Sequence, residues 1–160
     1  ARLSIGKKGL EQEGFYRQII KEATSLSTRL LDGGSEDSEA YIGIREAYRL
    51  PKETIEQKNH RREVIEEAMI RAAQIPLVNA KRCQRILVLA DRLKGRSNPN
   101  AASDLECSEH LARAGLLGCV ANVRTNLPGI KDEERKKELI REIEELPDSK
   151  RQAYEENPIM

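Results

Sequence analysis

Polar side chains that can hold a ligand gather at both ends of one long apolar segment. The segment opens with carboxamide, hydroxyl and carboxyl groups and closes with two further carboxamides: Asn98, Asn100, Ser103, Asp104, Asn122 and Asn126. Such groups are costly to bury unless each finds a hydrogen-bond partner. The cluster therefore indicates either contacts to a ligand or helix capping, in which Asn100 or Ser103 accepts hydrogen bonds from the first free backbone N–H groups.

Asn122 and Asn126 are four residues apart, so they share one face of a helix. Their carboxamides can hydrogen-bond a substrate or tie down a neighbouring loop, and the sequence leaves both alternatives open. The same helix carries Gly115 and Gly118 in its interior, where each glycine costs about 1 kcal/mol relative to alanine. Such positions indicate close packing of another helix or, less often, the wall of a ligand site.

The composition is typical of a helical protein with solvated charged faces. Charged residues make up 34% of the 160-residue chain and aromatic residues 3%. The net charge is +1, from 28 basic and 27 acidic residues, which predicts no nucleic-acid partner and no membrane partner. Because the chain has neither a run of about 18 apolar residues nor a signal peptide, we expect a cytoplasmic protein.

The cysteine pattern favours buried thiols over disulfides or zinc. Cys83, Cys107 and Cys119 form no CxxC pair. Cys107 and Cys119 fall on one predicted helix about 18 Å apart, too far for a disulfide. A reducing cytosol fits this usage, and the two scattered histidines complete no metal ligand set, so we expect no metal.

Apolar residues spaced three and four apart, with almost no alternating β-branched runs, predict an all-α bundle of long helices. We expect the stretch Asp32-Gly33-Gly34-Ser35 to end the first helix and Ser35 or Asp37 to begin the second. Pro76 should kink the long third helix. The predicted helices cover residues 11–31, 35–48, 55–94, 100–127 and 132–146, with a capping box at 54–57, Asp132 as the last cap and Pro147 as the last break.

Several sequence blocks occur in an order and at a spacing that match one family. They are residues 3–8 (LSIGKK), 36–41 (EDSEAY), 46–52 (EAYRLPK), 72–77 (AAQIPL), 98–104 (NPNAASD) and 122–127 (NVRTNL). In these blocks the chain resembles the cyclodeaminase/cyclohydrolase family of folate enzymes. That family includes the C-terminal domain of formiminotransferase-cyclodeaminase and bacterial methenyltetrahydrofolate cyclohydrolases. We expect one such domain over residues 1–160, lacking the family's N-terminal glycine-rich segment.

The resemblance implies cyclisation of 5-formiminotetrahydrofolate to 5,10-methenyltetrahydrofolate with release of ammonia. The alternative reaction is hydrolysis of 5,10-methenyltetrahydrofolate to 10-formyltetrahydrofolate. Either reaction needs one group that moves a proton, and by resemblance that group is Asp37, which would otherwise be read as a helix N-cap or a first-turn acid. A tetrahydrofolate derivative is the substrate, and neither a metal nor a redox cofactor is implied.

By the same resemblance, the pterin ring is bound by the polar groups at the two ends of the apolar segment. Lys7 and Lys52 would meet the acidic glutamate tail of the folate, although exposed lysines are common. Tyr41 and Tyr48 share a helix face and are interpreted as core or interface residues. A homodimer with the site near its interface is implied, with a possible formiminotransferase partner.

A non-catalytic helical scaffold is the competing hypothesis, because long charged helices suit it equally well. The enzyme hypothesis predicts that Asp37, Asn98 and Asp104 converge on one pocket, which a second subunit completes. The scaffold hypothesis predicts that Asn98, Asn100 and Asn126 are dispersed or only cap helices. A helical nucleic-acid binder is disfavoured by the near-zero net charge.

Overall fold

A computed structural model describes residues 1–146, and this part of the chain is all-α, with no strand. The predicted fold class is therefore confirmed. The four long helices are α1 (Glu13–Ala47), α2 (Ile55–Leu93), α3 (Ala102–Asn126) and α4 (Glu133–Glu144). Single turns of 3-10 helix lie at Arg2–Ser4, Pro99–Ala101 and Leu127–Gly129. Within residues 1–146, no helix is both long and apolar enough to cross a membrane.

The central helix of the bundle is α2, and its beginning is set by the predicted capping box. The Thr54 hydroxyl accepts a hydrogen bond from the Gln57 N–H, and the Gln57 side chain accepts one from the Thr54 N–H, both at 3.2 Å. From there α2 runs through Pro76 without interruption. It packs against α1, α3 and α4, whereas α1 and α3 pack mainly on α2 rather than on each other. A groove therefore runs between α1 and α3, with α2 as its floor.

Two apolar clusters hold the helices together. The larger joins the middle of α2 to α3 and α4, and its fully buried members include Ala73, Leu116, Val120 and Val123. The smaller joins the first half of α1 to the end of α2 around the fully buried ring of Tyr16. Since burying such side chains is the main stabilising term in a bundle, these clusters fix the positions of the helices that line the groove.

The predicted break at residues 32–35 is wrong, because α1 continues through both glycines. Gly33 is buried against Asn79 of α2, and a β-carbon placed on it would lie 2.6 Å from Asn79 Nδ2. The glycine therefore serves close approach of two helices rather than a helix end, and packing overrides its low helix propensity. As a consequence, Asp37 lies inside α1 and caps no helix.

The predicted cap residues at the start of α3 are also corrected. Asn98, rather than Asn100 or Ser103, accepts the capping bond, from the Asn100 N–H at 3.1 Å, and the first residues of α3 receive no side-chain cap. Asp132 caps α4 as predicted, accepting from the N–H groups of Glu134 at 3.0 Å and Arg135 at 3.1 Å. Pro147 lies outside the described residues.

Candidate functional site

The groove between α1 and α3 contains a cavity of about 600 Å³. Its floor is formed by Pro76, Asn79 and Cys83 of α2. Apolar and small side chains make up most of its walls: Leu30, Gly33 and Gly34 from α1, and Leu111, Ala112 and Gly115 from α3. An apolar cavity of this size with a few polar groups is typical of a small-molecule site.

Asp37 and Asn122 close one end of this cavity by bridging α1 and α3. The Nδ2 group of Asn122 donates to both carboxylate oxygens of Asp37, at 3.2 Å to Oδ1 and 3.4 Å to Oδ2. Asp37 is half-buried, so part of its carboxylate faces open space. The bridge also borders a second recess of about 440 Å³, lined in part by Tyr41, Ile42 and Asn126. The carboxylate is thus held by one amide and borders both recesses.

Asn126 continues this network one turn along α3. Its Nδ2 group donates to the Asn122 Oδ1 at 3.1 Å and to the backbone carbonyl of Ala72 on α2 at 2.9 Å. The predicted shared face of the two asparagines is therefore confirmed, and their carboxamides contact protein groups. The sequence left open whether these carboxamides bind a substrate or a neighbouring segment of the protein. In the structure they bind α1 and α2.

Two thiols lie side by side in the cavity wall. Cys83 of α2 is buried and Cys119 of α3 is half-buried, and their side chains share a hydrogen bond. A hydrogen bond from Cys119 lowers the pKa of Cys83, against the opposing effect of burial. The same bond, together with burial and the nearby charge of Asp37, raises the pKa of Cys119. Cys107 is exposed, so the prediction of buried thiols is wrong for that cysteine.

Asn79 lines the cavity, although no pattern in the sequence was interpreted as pointing to it. Its side chain is 7% exposed, and its Oδ1 accepts a hydrogen bond from Arg82 Nη1 at 2.8 Å. The same Arg82 nitrogen donates to the backbone carbonyl of Arg29 at 2.6 Å, which ties α2 to α1. The sequence did carry a signal for Asn79, because it is a single carboxamide among the apolar residues that follow Pro76. Such a group needs a hydrogen-bond partner when it is buried.

The polar residues at the start of the apolar segment lie apart from Asp37. Asn98 is occupied by structural contacts, with its N–H donating to Ser4 Oγ at 2.8 Å and its Nδ2 to the Leu3 carbonyl at 3.1 Å. Asp104 is exposed beside a smaller recess of about 280 Å³ that Ala1 and Leu105 also line. Asn100 and Ser103 are exposed as well. Within one chain Asp37, Asn98 and Asp104 therefore do not line one pocket, because the turn before α3 packs on the N-terminal residues.

The remaining candidates lie on the surface. Lys7 and Lys52 are exposed and line neither recess beside Asp37. Tyr41 is 62% exposed and Tyr48 is 52% exposed, so these rings are not core residues, and their interpretation as interface residues stays a prediction. Among the small residues of α3, Gly115 confirms the expected close packing, since a β-carbon there would lie 3.1 Å from Cys83 Sγ, whereas Gly118 has open space around it.

Known proteins are similar to this chain in both sequence and fold. A family profile described as formiminotransferase-cyclodeaminase matches residues 1–145. A methenyltetrahydrofolate cyclohydrolase from Methylorubrum extorquens is 33% identical over 145 residues, which cover 90% of this chain and 70% of that protein. A chicken (Gallus gallus) formimidoyltransferase-cyclodeaminase is 26% identical over 152 residues, which cover 94% of this chain and 28% of that protein.

The fold has a solved counterpart in the formiminotetrahydrofolate cyclodeaminase of Thermotoga maritima. The two structures agree with a TM-score of 0.80 over 92% of this chain and 70% of the other, at 24% sequence identity. The likeness to this structure shows that the four-helix arrangement is shared. The match of the family profile to nearly all described residues, together with the 33% identical bacterial relative, shows the family itself. The chain belongs to the formiminotransferase-cyclodeaminase family.

Proposed function

We propose that this chain is a folate one-carbon enzyme in which Asp37 moves a proton at the one-carbon bridge between N5 and N10 of a tetrahydrofolate. The observation that carries the proposal is the half-buried Asp37 carboxylate, held by Asn122 at the end of an apolar groove. An ionised carboxylate has about four lone-pair positions, and Asn122 occupies only part of them. A carboxylate within hydrogen-bond reach of the reacting atoms contributes about 10²–10⁴ in rate.

The first candidate reaction is ring closure of 5-formiminotetrahydrofolate. N10 attacks the formimino carbon, a new N10–C bond forms, and a tetrahedral centre results. The formimino group enters protonated, so the tetrahedral centre carries an amino group; Asp37 takes the proton from N10 and gives it to that amino group. The C–N bond then breaks, ammonia leaves, and the positive charge stays on the methenyl bridge. The product is 5,10-methenyltetrahydrofolate, and the names of the vertebrate relatives, which include the word cyclodeaminase, support this candidate.

The second candidate reaction is hydrolysis of 5,10-methenyltetrahydrofolate. Asp37 takes a proton from water as the water oxygen adds to the methenyl carbon. The C–N5 bond then breaks as N5 receives that proton, the remaining hydroxyl proton passes to solvent as the formyl C=O forms, and 10-formyltetrahydrofolate is released. The bacterial cyclohydrolase supports this candidate, because its identity of 33% is higher than that of the chicken protein and the chain covers 70% of its length.

The shape of the groove suggests how the substrate lies. We place the flat pterin ring along the apolar wall formed by Ile86, Leu111 and Ala112, with the one-carbon bridge beside Asp37. The small side chain of Ala112 leaves room for a planar ring. Asn79 and Asn122 replace Asn98, Asn100, Ser103 and Asp104 as the proposed polar contacts of the ring within this chain.

A homodimer is part of the proposal, and apolar side chains exposed beside the site support it. Leu111 in the cavity wall is 68% exposed, and Tyr41 and Ile42 in the second recess are 62% and 51% exposed. Such groups gain stability when a second subunit covers them. A partner subunit is also a possible source of the cations, such as Lys7 or Lys52, proposed to meet the glutamate tail. A formiminotransferase that makes 5-formiminotetrahydrofolate is the proposed partner enzyme for ring closure.

A spectrophotometric assay with two substrates tests the proposed function. The chain, with any upstream sequence that its gene encodes, is given 5-formiminotetrahydrofolate and, separately, 5,10-methenyltetrahydrofolate. A methenyl chromophore that appears together with ammonia supports ring closure, whereas enzyme-dependent loss of the chromophore supports hydrolysis. A folded protein that gives neither signal above background would favour the scaffold hypothesis, and sedimentation of the same sample tests the dimer.

A further inference from the structure

Pro76 leaves one backbone carbonyl of α2 without its usual helical partner. In an α-helix each N–H donates to the carbonyl four residues earlier, and proline has no N–H to donate. The carbonyl four residues before Pro76 belongs to Ala72. The proline ring also crowds this carbonyl and turns it away from the helix axis. Because Ala72 is buried, its carbonyl needs a donor from outside α2.

Asn126 of α3 supplies that donor. Its Nδ2 group donates one hydrogen to the Ala72 carbonyl at 2.9 Å and another to Asn122 Oδ1 at 3.1 Å. Asn122 in turn donates through Nδ2 to Asp37, at 3.2 Å and 3.4 Å. A chain of hydrogen bonds thus runs from the proline-freed carbonyl to the carboxylate.

The two ends of this hydrogen-bond network, the Ala72 carbonyl and the Asp37 carboxylate, determine which way both amides point. The Ala72 carbonyl can only accept, so it selects the NH₂ side of Asn126. That NH₂ group faces Asn122 as well and selects its oxygen, which leaves the Asn122 NH₂ group aimed at Asp37. If Asn122 turned over, two NH₂ groups would face each other and its oxygen would face the carboxylate, and both contacts are repulsive.

We propose that Pro76 and Asn126 are positioning residues for Asp37, because they fix the Asn122 carboxamide in the orientation that holds the carboxylate. Neither residue touches the reacting atoms in this account. The kinetic consequence rests on the proposed function, whereas the orientation of Asn122 does not. A carboxylate held in one orientation presents its free lone pairs to the groove, which is the geometry that proton transfer requires.

Two variants test the proposal, each with a kinetic and a spectroscopic measurement. Pro76→Ala restores the backbone donor to the Ala72 carbonyl, and Asn126→Asp removes the side-chain donor while keeping its size. The NH₂ resonances of Asn122, assigned by their loss in Asn122→Asp, should shift in both variants. For whichever folate the wild-type chain converts, kcat should fall about tenfold in Pro76→Ala and further in Asn126→Asp, with KM within about twofold.

The control and the contradicting results separate this proposal from the proposed function. Asn100→Asp changes an exposed asparagine far from the network and should leave the Asn122 resonances and kcat unchanged. Asn122 resonances at their wild-type positions in Asn126→Asp would overturn the network, and the same result in Pro76→Ala would overturn the role of Pro76. Shifted resonances in a chain with no folate activity would support the network and reject the proposed function.

Discussion

Gly33 of α1 lies against the buried carboxamide of Asn79 on α2, with no space between them for a side chain. A β-carbon on Gly33 would lie 2.6 Å from Asn79 Nδ2 and 2.7 Å from its Cγ. Both residues line the cavity, and Asp37 follows Gly33 by one turn of α1. This contact therefore sets how closely α1 approaches the floor of the groove that contains the candidate site.

The contact predicts opposite effects for two neighbouring glycines. Gly33→Ala should lower the free energy of unfolding by about 1–3 kcal/mol, because the new methyl group overpacks a buried contact. Gly34→Ala is the matched control, since Gly34 is exposed with open space around it and should gain up to about 1 kcal/mol from helix propensity. Urea unfolding measures both changes, and equal stabilisation by the two variants would contradict the close contact.

The paired thiols predict a change in cysteine reactivity. Because the hydrogen bond from Cys119 lowers the pKa of Cys83, Cys119→Ala should raise that pKa and decrease the thiolate fraction at a given pH. Alkylation of Cys83 by iodoacetamide, followed by mass spectrometry across pH, should shift its midpoint upward. Cys107→Ala is the control, because it removes an exposed thiol from α3, the helix that carries Cys119. It should leave the alkylation midpoint of Cys83 unchanged. A midpoint unchanged in Cys119→Ala would refute the pairing.

The ion pair between Glu22 of α1 and Arg85 of α2 predicts a pH-dependent contribution to stability. Arg85 Nη2 donates to Glu22 Oε2 at 3.0 Å, and this hydrogen bond lowers the pKa of Glu22 from its ordinary value of 4.5. A lowered carboxyl pKa in the folded state stabilises the fold above about pH 4.5, and the contribution is lost as pH falls through the lowered pKa.

A double-mutant cycle tests this ion pair. Glu22→Gln, Arg85→Gln and the double variant give a coupling free energy from thermal unfolding. The coupling should favour the fold at about pH 7 and weaken at acid pH, as Glu22 becomes protonated in the folded state as well. Because Arg85 is exposed and Glu22 is only half-buried, the coupling should also shrink at high salt. A coupling of equal size at both pH values would show that packing, rather than charge, joins the two residues.

Local signals in the sequence predicted the fold class and the starts of α2 and α4. The capping box at Thr54 and Gln57 and the cap at Asp132 were read correctly, because a cap depends on residues within one turn. The predicted helix break at Gly33 was wrong because the conformation there depends on a residue far away in the sequence. The partner that makes its low propensity irrelevant is Asn79, which is distant in sequence and adjacent only in the folded chain.

The candidate site was predictable only in part. The spacing of four predicted that Asn122 and Asn126 share a helix face, but it carried no information about Asp37, which is 85 residues away from Asn122. Asp37 was predicted as a site residue only from the resemblance to the family. Asn98 shows the opposite case, because its polar groups were expected to serve a ligand and instead bind Ser4 and Leu3 at the other end of the chain.

The exchange of one carboxylate for an amide shows whether Asp37 moves the proton. Asp37→Asn keeps the size of the side chain and removes its ability to take a proton, so kcat should fall by about 10²-fold or more with the folate that the wild-type chain converts. Asp32→Asn is the matched control, because Asp32 is an exposed acid of the same helix that does not line the groove. Loss of turnover in Asp37→Asn with full turnover in Asp32→Asn is the predicted result, and wild-type turnover in a folded Asp37→Asn protein would contradict the account.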